Sequence, residues 1–135
     1  MPSLHVSALD FSYTSAAPVL REVSCDLGPG WAGLVGAHVS GKTTFLSLLA
    51  GDLTPSRGAV STTPAAAVTM LCPQRVDEPD HTVAALAASW EAEHVRLRGV
   101  LGLEAADPGR RPTLSPGERK RWQNGAALAA EPDVL

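Results

Sequence analysis

One short stretch decides the fold of this chain: Gly36, Ala37, His38, Val39, Ser40, Gly41, Lys42 and Thr43. The stretch matches the phosphate-binding pattern G-x-x-x-x-G-K-[ST]. Its glycines allow backbone N–H groups to close around phosphate oxygens, and the following helix points its positive end at them. In such a loop the Lys42 ammonium reaches the outer phosphates, and the Thr43 hydroxyl is a ligand for Mg²⁺. The stretch therefore predicts a nucleotide-binding loop.

The sequence on either side predicts the strand and the helix that such a loop connects. Residues 31–35 (WAGLV) have the composition of a short buried strand that runs into the loop. After the loop, apolar residues at positions 45, 46, 48 and 49 form a helical stripe that stops at Gly51, which is typical of a helix C-terminus. A Gly-rich turn without a phosphate role is the alternative, but the predicted strand and helix favour phosphate binding.

Alternating apolar residues predict further strands outside this core. Residues 4–13 and 23–27 are expected to pair antiparallel through a turn near residues 16–18. Downstream, the pattern predicts two strands, at residues 59–62 and 67–71, and then an Ala-rich helix over 82–101 that is capped by Asp80 or Thr82. A loop at 107–109, a last helix over 116–130 and the start of another strand at 132–135 follow.

Composition excludes several classes of protein. A chain of 135 residues, 44% of them hydrophobic and 19% charged, has the size and composition of one globular domain. The net charge of −3 argues against broad electrostatic binding of nucleic acid. Two cysteines without CxxC spacing argue against a zinc site or a disulfide framework. Because the sequence contains neither a signal-peptide n-region nor an 18-residue apolar run, we expect a cytoplasmic location without direct membrane insertion.

Three more features accompany the loop: Tyr13, 23 residues before Gly36; Gln74, at the end of LCPQ (71–74); and LSPGE at residues 114–118. In this order, the features resemble those of an ATP-binding cassette (ABC) ATPase domain over nearly the whole chain. The resemblance implies that Tyr13 stacks on adenine and that Gln74, in the Q-loop, approaches Mg²⁺ and the attacking water. It also implies that LSPGE is the family signature, usually LSGGQ or LSGGE. The alternative for Tyr13 is an ordinary strand aromatic.

The signature residues also fit a purely structural role. Ser115 and Glu118 form the S-x-x-E pattern of a capping box, and Pro116 occupies the favoured first helical position. The family order of the motifs favours the functional interpretation. In that interpretation, Ser115 and Gly117 serve a nucleotide held by a second cassette, because a capped helix start offers N–H groups to a phosphate.

The resemblance implies an α/β fold: a P-loop NTPase cassette core with an N-terminal antiparallel β layer and a small helical insertion, incomplete at its C-terminus. It divides the chain into three parts. Residues 1–74 are the β layer and P-loop core, residues 75–113 are the helical insertion, and residues 114–135 are the signature helix and the start of the Walker B strand.

The resemblance also implies the ligands and the partners. The ligands are ATP and Mg²⁺: the backbone of residues 36–44, which ends at Thr44, holds the nucleotide, while Thr43 and Gln74 serve the metal. The partner is a second ABC cassette, in a homodimer or within one longer chain.

Three interpretations of the function stay open. The sequence Ser-Pro-Gly-Glu-Arg, together with the 39 residues between Gln74 and Leu114, resembles that of the ABC-F branch. The soluble proteins of this branch act on the ribosome. The first alternative is the ATP-binding subunit of an ABC transporter, which docks on transmembrane permease subunits. The second alternative is a decayed, non-enzymatic fragment that binds nucleotide weakly or not at all.

The matched positions end before the hydrolytic residues of the family. Residues 131–135 (EPDVL) resemble the lead-in to the Walker B strand, so the Walker B Asp, the catalytic Glu and the switch His have no counterpart among these residues. Hydrolysis needs a group that polarises the attacking water. The family hydrolyses ATP, but we expect this truncated cassette to bind Mg-ATP without hydrolysing it alone. We also expect a bare apolar edge at residues 31–35, beside which the family places the Walker B strand.

A second departure lies inside the loop, where His38 and Val39 replace the Asn-Gly pair usual in the family. If the second position requires a positive φ, a β-branched residue is strained there by about 1–3 kcal/mol. Taken wholly from binding, this strain would weaken nucleotide affinity about 5- to 150-fold. We therefore expect the double reversion His38→Asn/Val39→Gly to tighten ATP binding in calorimetry. An unchanged dissociation constant would contradict this expectation.

Overall fold

The computed structural model describes residues 1–15, 17–74 and 81–135. The chain forms two compact units, each with its own core. The first contains residues 1–71 and Val134, and the second contains residues 72–133 and Leu135. Position 16 of the predicted turn, the predicted cap at Asp80 and the start of the expected helical insertion at 75–80 lie outside the described residues.

The first unit is built on a three-stranded antiparallel sheet with β1 in the middle. Strand β1 (Ser3–Phe11) pairs with β2 (Leu20–Leu27) on one side and with β3 (Arg57–Thr63) on the other. This arrangement confirms the predicted antiparallel pairing of the two N-terminal strands and the predicted strand at 59–62. It also forms the expected β layer.

A β-bulge at Ala8 keeps the apolar side chains of β1 on one face. Leu4 and Val6 are buried at even positions, whereas Leu9 and Phe11 are buried at odd positions. Ala8 has a φ of 43°, and the register of β1 with both neighbours shifts around it. Because a bulge adds one residue to one strand, it reverses the phase of the alternation and returns Leu9 to the core.

Helix α1 (Lys42–Ala50) follows the Gly-rich loop and packs on this sheet. Phe45 and Leu48 are its buried apolar residues, and they join Val6, Leu9 and Phe11 in one hydrophobic cluster. The helix ends at Gly51 as predicted: Gly51 has a φ of 83°, and its N–H donates back to the Leu48 carbonyl at 3.2 Å. The packing of Phe45 and Leu48 against β1 holds α1, and with it the end of the Gly-rich loop, on the sheet.

The predicted strand over residues 31–35 is wrong. These residues form neither helix nor strand, and Trp31 and Val35 are exposed. A strand is stable only where a neighbour supplies hydrogen-bond partners, and none of the described residues forms a β-bridge with this segment. The strands predicted at 67–71 and 132–135 reduce to one parallel bridge between Thr69 and Val134.

The second unit is helical. It contains α2 (His81–Ala88), α3 (Ala92–Leu101), a 3₁₀ helix (Asp107–Thr113) and α4 (Pro116–Ala129). The last helix confirms its prediction, whereas the predicted loop at 107–109 begins the 3₁₀ helix. Its core consists of Val83, Leu86, Leu103, Leu114, Trp122 and Ala126. No helix in the described part of the chain combines the length and hydropathy needed to cross a bilayer.

The single helix predicted over 82–101 is interrupted at residues 89–91, and Arg98 explains the break. Its guanidinium is buried and donates to the carbonyl oxygens of Leu86 at 2.5 Å and Ser89 at 2.8 Å. A cation at this end complements the helix dipole and satisfies carbonyls that have no partner inside α2. The guanidinium thus stabilises the end of α2, which a periodicity argument could not foresee.

Arg98→Met tests this role because methionine keeps much of the apolar stem and removes the donors. We expect the free energy of unfolding to fall by about 2–4 kcal/mol, since two carbonyl oxygens lose a charged donor. Urea denaturation measures the change. Arg96→Met is the matched control, because Arg96 is exposed on the same helix and lies 4.0 Å from Glu93; its effect should stay within about 0.5 kcal/mol. Equal losses in the two variants would contradict the assignment.

Candidate nucleotide-binding site

The ammonium of Lys42 closes the Gly-rich loop from inside. Its Nζ donates to the carbonyl oxygens of Gly36 at 2.9 Å and Ala37 at 2.6 Å, and to the Ser40 hydroxyl at 3.3 Å. All three contacts are exposed to solvent. Phosphate oxygens are acceptors of the same kind with more negative charge, so they can take over the same donors. The lysine therefore stands where the sequence pattern requires a phosphate ligand.

The two glycines of the pattern lie where an added Cβ would meet a neighbouring side chain. A Cβ at Gly36 would lie 2.9 Å from the Ser40 hydroxyl oxygen, on the inner side of the turn. Gly41 has a φ of 87°, and a Cβ there would lie 3.0 Å from a Val19 methyl carbon. At Gly41 the positive φ would strain any other residue, whereas at Gly36 the Ser40 side chain would have to turn away from an added Cβ.

The start of α1 completes a site for an anion. The first N–H groups of a helix have no partner within it, and they carry the positive end of the dipole. The first turn of α1 contains no acidic residue that would neutralise this end. Thr43 is exposed in that turn, with its hydroxyl available to a metal ion, and Lys42 adds a full charge. These residues fit a triphosphate with Mg²⁺, although the described residues hold no metal-binding cluster of His, Cys, Asp and Glu.

Tyr13 lies against the same helix. Its hydroxyl is 3.1 Å from the Thr44 Oγ1, and its ring packs edge-on against Phe11 at a centroid distance of 4.9 Å and an angle of 89°. Thr44 is buried, whereas Tyr13 is 65% exposed. The structure therefore brings the predicted base-stacking residue to the first turn of α1, directly after the phosphate loop. The sequence pattern treated Thr44 only as backbone and missed its hydroxyl, which holds the tyrosine.

Val39 adopts the positive-φ backbone conformation in which a β-branched residue is strained. Its φ is 63°, in the left-handed region, and its side chain is 91% exposed. For a β-branched residue this region is strongly disfavoured, because Cβ and its branches crowd the backbone. The side chain gains no packing in return. The neighbouring His38 is also exposed at the tip of the loop.

The other predicted site residues belong to the second unit. Gln74 is exposed at the end of the segment 72–74. Ser115 is the N-cap of α4: its Oγ accepts from the Glu118 N–H at 3.2 Å, and a Glu118 carboxylate oxygen accepts from the Ser115 N–H at 2.7 Å. Hydrogen bonding of the Glu118 carboxyl to the Ser115 side chain and to the Ser115 backbone N–H lowers the pKa of that carboxyl. The capping box thus forms as the pattern predicts, with Gly117 exposed in the first turn, and any nucleotide contact of these residues stays a prediction.

The Gly-Lys-Thr loop precedes a helix that packs on a sheet, and its lysine is turned into the loop. These features define a P-loop nucleotide-binding domain. Comparisons with known proteins place this domain in a family. The family model described as ABC transporter matches residues 20–135, and the chain therefore belongs to the ABC transporter family, as an ATP-binding domain.

Relatives with known names agree with this assignment. An uncharacterized ABC transporter ATP-binding protein of Schizosaccharomyces pombe is 30% identical over 143 residues, which cover 99% of this chain and 19% of that protein. Another from Mycobacterium tuberculosis is 34% identical over 139 residues, covering 93% of this chain and 20% of that protein. The hemin import ATP-binding protein of Bordetella pertussis is 51% identical over 45 residues, covering 33% of this chain and 17% of its own. The chain thus spans about a fifth of these relatives or less.

A solved structure supports the fold. One chain of an inward-facing ABC transporter superposes with a TM-score of 0.73 over 96% of this chain and 56% of that chain, at 22% identity. The expected α/β cassette fold is thereby confirmed. The names of the relatives support the transporter alternative better than the ABC-F interpretation, and they give no support to a ribosomal partner.

Val39→Gly tests the strain in the loop. Because the positive φ is already present in the folded loop, we expect this change to raise the free energy of unfolding by about 1 kcal/mol, after allowance for the freedom of glycine in the unfolded chain. Val39→Ala is the matched control: it removes the branch but keeps Cβ, so it should recover less than half of the gain. Urea denaturation measures both variants, and a Val39→Gly chain less stable than the wild type would refute the strain.

Proposed function

We propose that this chain is the nucleotide-holding part of an ABC transporter ATP-binding domain and that it binds Mg-ATP. The observation that carries the proposal is the Lys42 ammonium, held by loop carbonyls at the head of a helix whose first turn has no acidic residue. A strong cation beside unneutralised helix N–H groups selects a multiply charged anion. The site therefore favours a triphosphate over a neutral ligand.

Each predicted site residue has a role in this proposal. The backbone of residues 36–44 and the Lys42 side chain hold the phosphates, while the Tyr13 ring stacks on adenine. Thr43 is one protein ligand for Mg²⁺, which when bound neutralises phosphate charge. From the second unit, Gln74 is assigned to the metal. Ser115 and Gly117 are assigned to the nucleotide of a second cassette.

The partners follow from the transporter alternative. The relatives' names associate their ATP-binding proteins with ABC transporters and, in one case, with hemin import. We infer a second cassette and transmembrane permease subunits as partners of this domain. A soluble ABC-F protein is the second candidate, and its support is the spacing of 39 residues between Gln74 and Leu114.

Lys42→Ala tests the proposed function. We expect it to weaken Mg-ATP binding about 10- to 150-fold in calorimetry, because a charged donor to the phosphates is lost. Arg21→Ala is the matched control, since Arg21 is an exposed cation of the same unit, and its affinity should equal that of the wild type. A wild-type chain that retains no ATP at millimolar concentration would overturn the proposal.

A further inference from the structure

Lys120 on α4 reaches the chain segment that carries Gln74. Its Nζ donates to the Pro73 carbonyl oxygen at 2.5 Å and to the Gln123 Oε1 at 2.7 Å. Gln123 lies one turn further along α4 and is only 8% exposed. The ammonium is therefore held on the helix side by a buried amide and on the loop side by a backbone carbonyl. Pro73 is 47 positions from Lys120 in sequence, so this is a tertiary contact.

The acceptor on the loop side has a direct consequence for Gln74. The Pro73 carbonyl and the Gln74 N–H belong to one planar peptide group, which also contains the Gln74 Cα. The ring of Pro73 fixes its own φ and leaves ψ as the soft dihedral. A hydrogen bond to the Pro73 carbonyl restrains that ψ. Lys120 thus restrains the position of the Gln74 Cα, from which that side chain leaves the backbone.

The residue type suits this task. The chain has two lysines among its 11 Lys and Arg residues, and both donate to loop carbonyls: Lys42 in the phosphate loop and Lys120 here. An ammonium offers three donors around a point charge, whereas the planar guanidinium fork matches carboxylates and phosphates. The charge of Lys120 also acts on the adjacent Cys72: burial raises the pKa of the Cys72 thiol, and Lys120 opposes that rise.

We propose that Lys120 is a positioning residue for Gln74, and that its bond to the Pro73 carbonyl couples the signature helix to the loop that carries Gln74. The inference rests on the proposed function, in which Gln74 serves Mg²⁺. The coupling gives α4 a second task beside presenting its capped N-terminus.

Carbonyl-carbon NMR of Pro73 tests the bond itself. In Lys120→Met we expect the Pro73 carbonyl carbon resonance to move upfield, because its oxygen loses a charged hydrogen-bond donor. The Cα resonances of α4 should keep their helical shifts, which shows that the helix is intact. Lys120→Arg keeps a charged donor and should move the Pro73 resonance less. Arg121→Met is the matched control: Arg121 is the next residue, but it contacts the Leu101 carbonyl instead. An unchanged Pro73 carbonyl resonance in Lys120→Met would overturn the inference.

The Mg²⁺ dependence of ATP binding tests the functional consequence. With EDTA, Lys120→Met and Gln74→Ala should bind ATP as the wild type does. With Mg²⁺, we expect each to lose about fivefold in affinity, and the double variant to lose no more than either alone, because both act through one side chain. A merely structural role would weaken binding equally with and without Mg²⁺, and that result would overturn the inference.

The two proposals fail differently. A wild-type chain that retains no Mg-ATP overturns the proposed function and, with it, the role of Lys120 toward Gln74. A wild-type chain that binds Mg-ATP, beside a Lys120→Met variant with the same Mg²⁺ dependence, overturns the inference alone.

Discussion

The contact between the Lys42 ammonium and the loop carbonyls is the interaction on which the site depends. It holds the loop closed, and it places a full positive charge at the head of α1. That charge is useful only if α1 is fixed, and Phe45 and Leu48 fix it by packing against β1. The β-bulge at Ala8 in turn keeps the inner face of β1 apolar along its whole length. The sheet thus fixes the helix, and the helix fixes the loop that positions the Lys42 ammonium.

Local signals predicted much of the fold and most of the candidate site. The phosphate loop, the end of α1 at Gly51 and the capping box at Ser115 each depend on residues within a few positions of one another. Where an element depends on a partner that is distant in sequence, its prediction failed. Residues 31–35 have the composition of a strand but no described partner, and the helix over 82–101 is broken where the distant Arg98 binds its carbonyls. Propensity is local, whereas pairing and burial are decided by tertiary structure.

The contacts of single side chains were the least predictable part of the site. No sequence pattern connects Tyr13 to Thr44, because 31 positions separate them and the fold alone brings the two hydroxyls together. The one available signal was composition: in a chain that otherwise uses arginine, each of the two lysines donates to a loop carbonyl. A scarce residue type therefore marked both places where a compact cation is needed.

The bulge in β1 also determines how this strand tolerates changes in length. Deleting Ala8 would remove the bulge and shift Leu9 and Phe11 back by one position. Leu4, Val6, Leu9 and Phe11 would then alternate regularly and still share the inner face. Deleting Ser7 instead would have the same geometric effect only if Ala8 took its place in the pleat. A deletion between Leu4 and Val6 would turn one part of the apolar row toward solvent. In related sequences, deletions in this strand should therefore occur at the bulge rather than in the regular part of β1 before it.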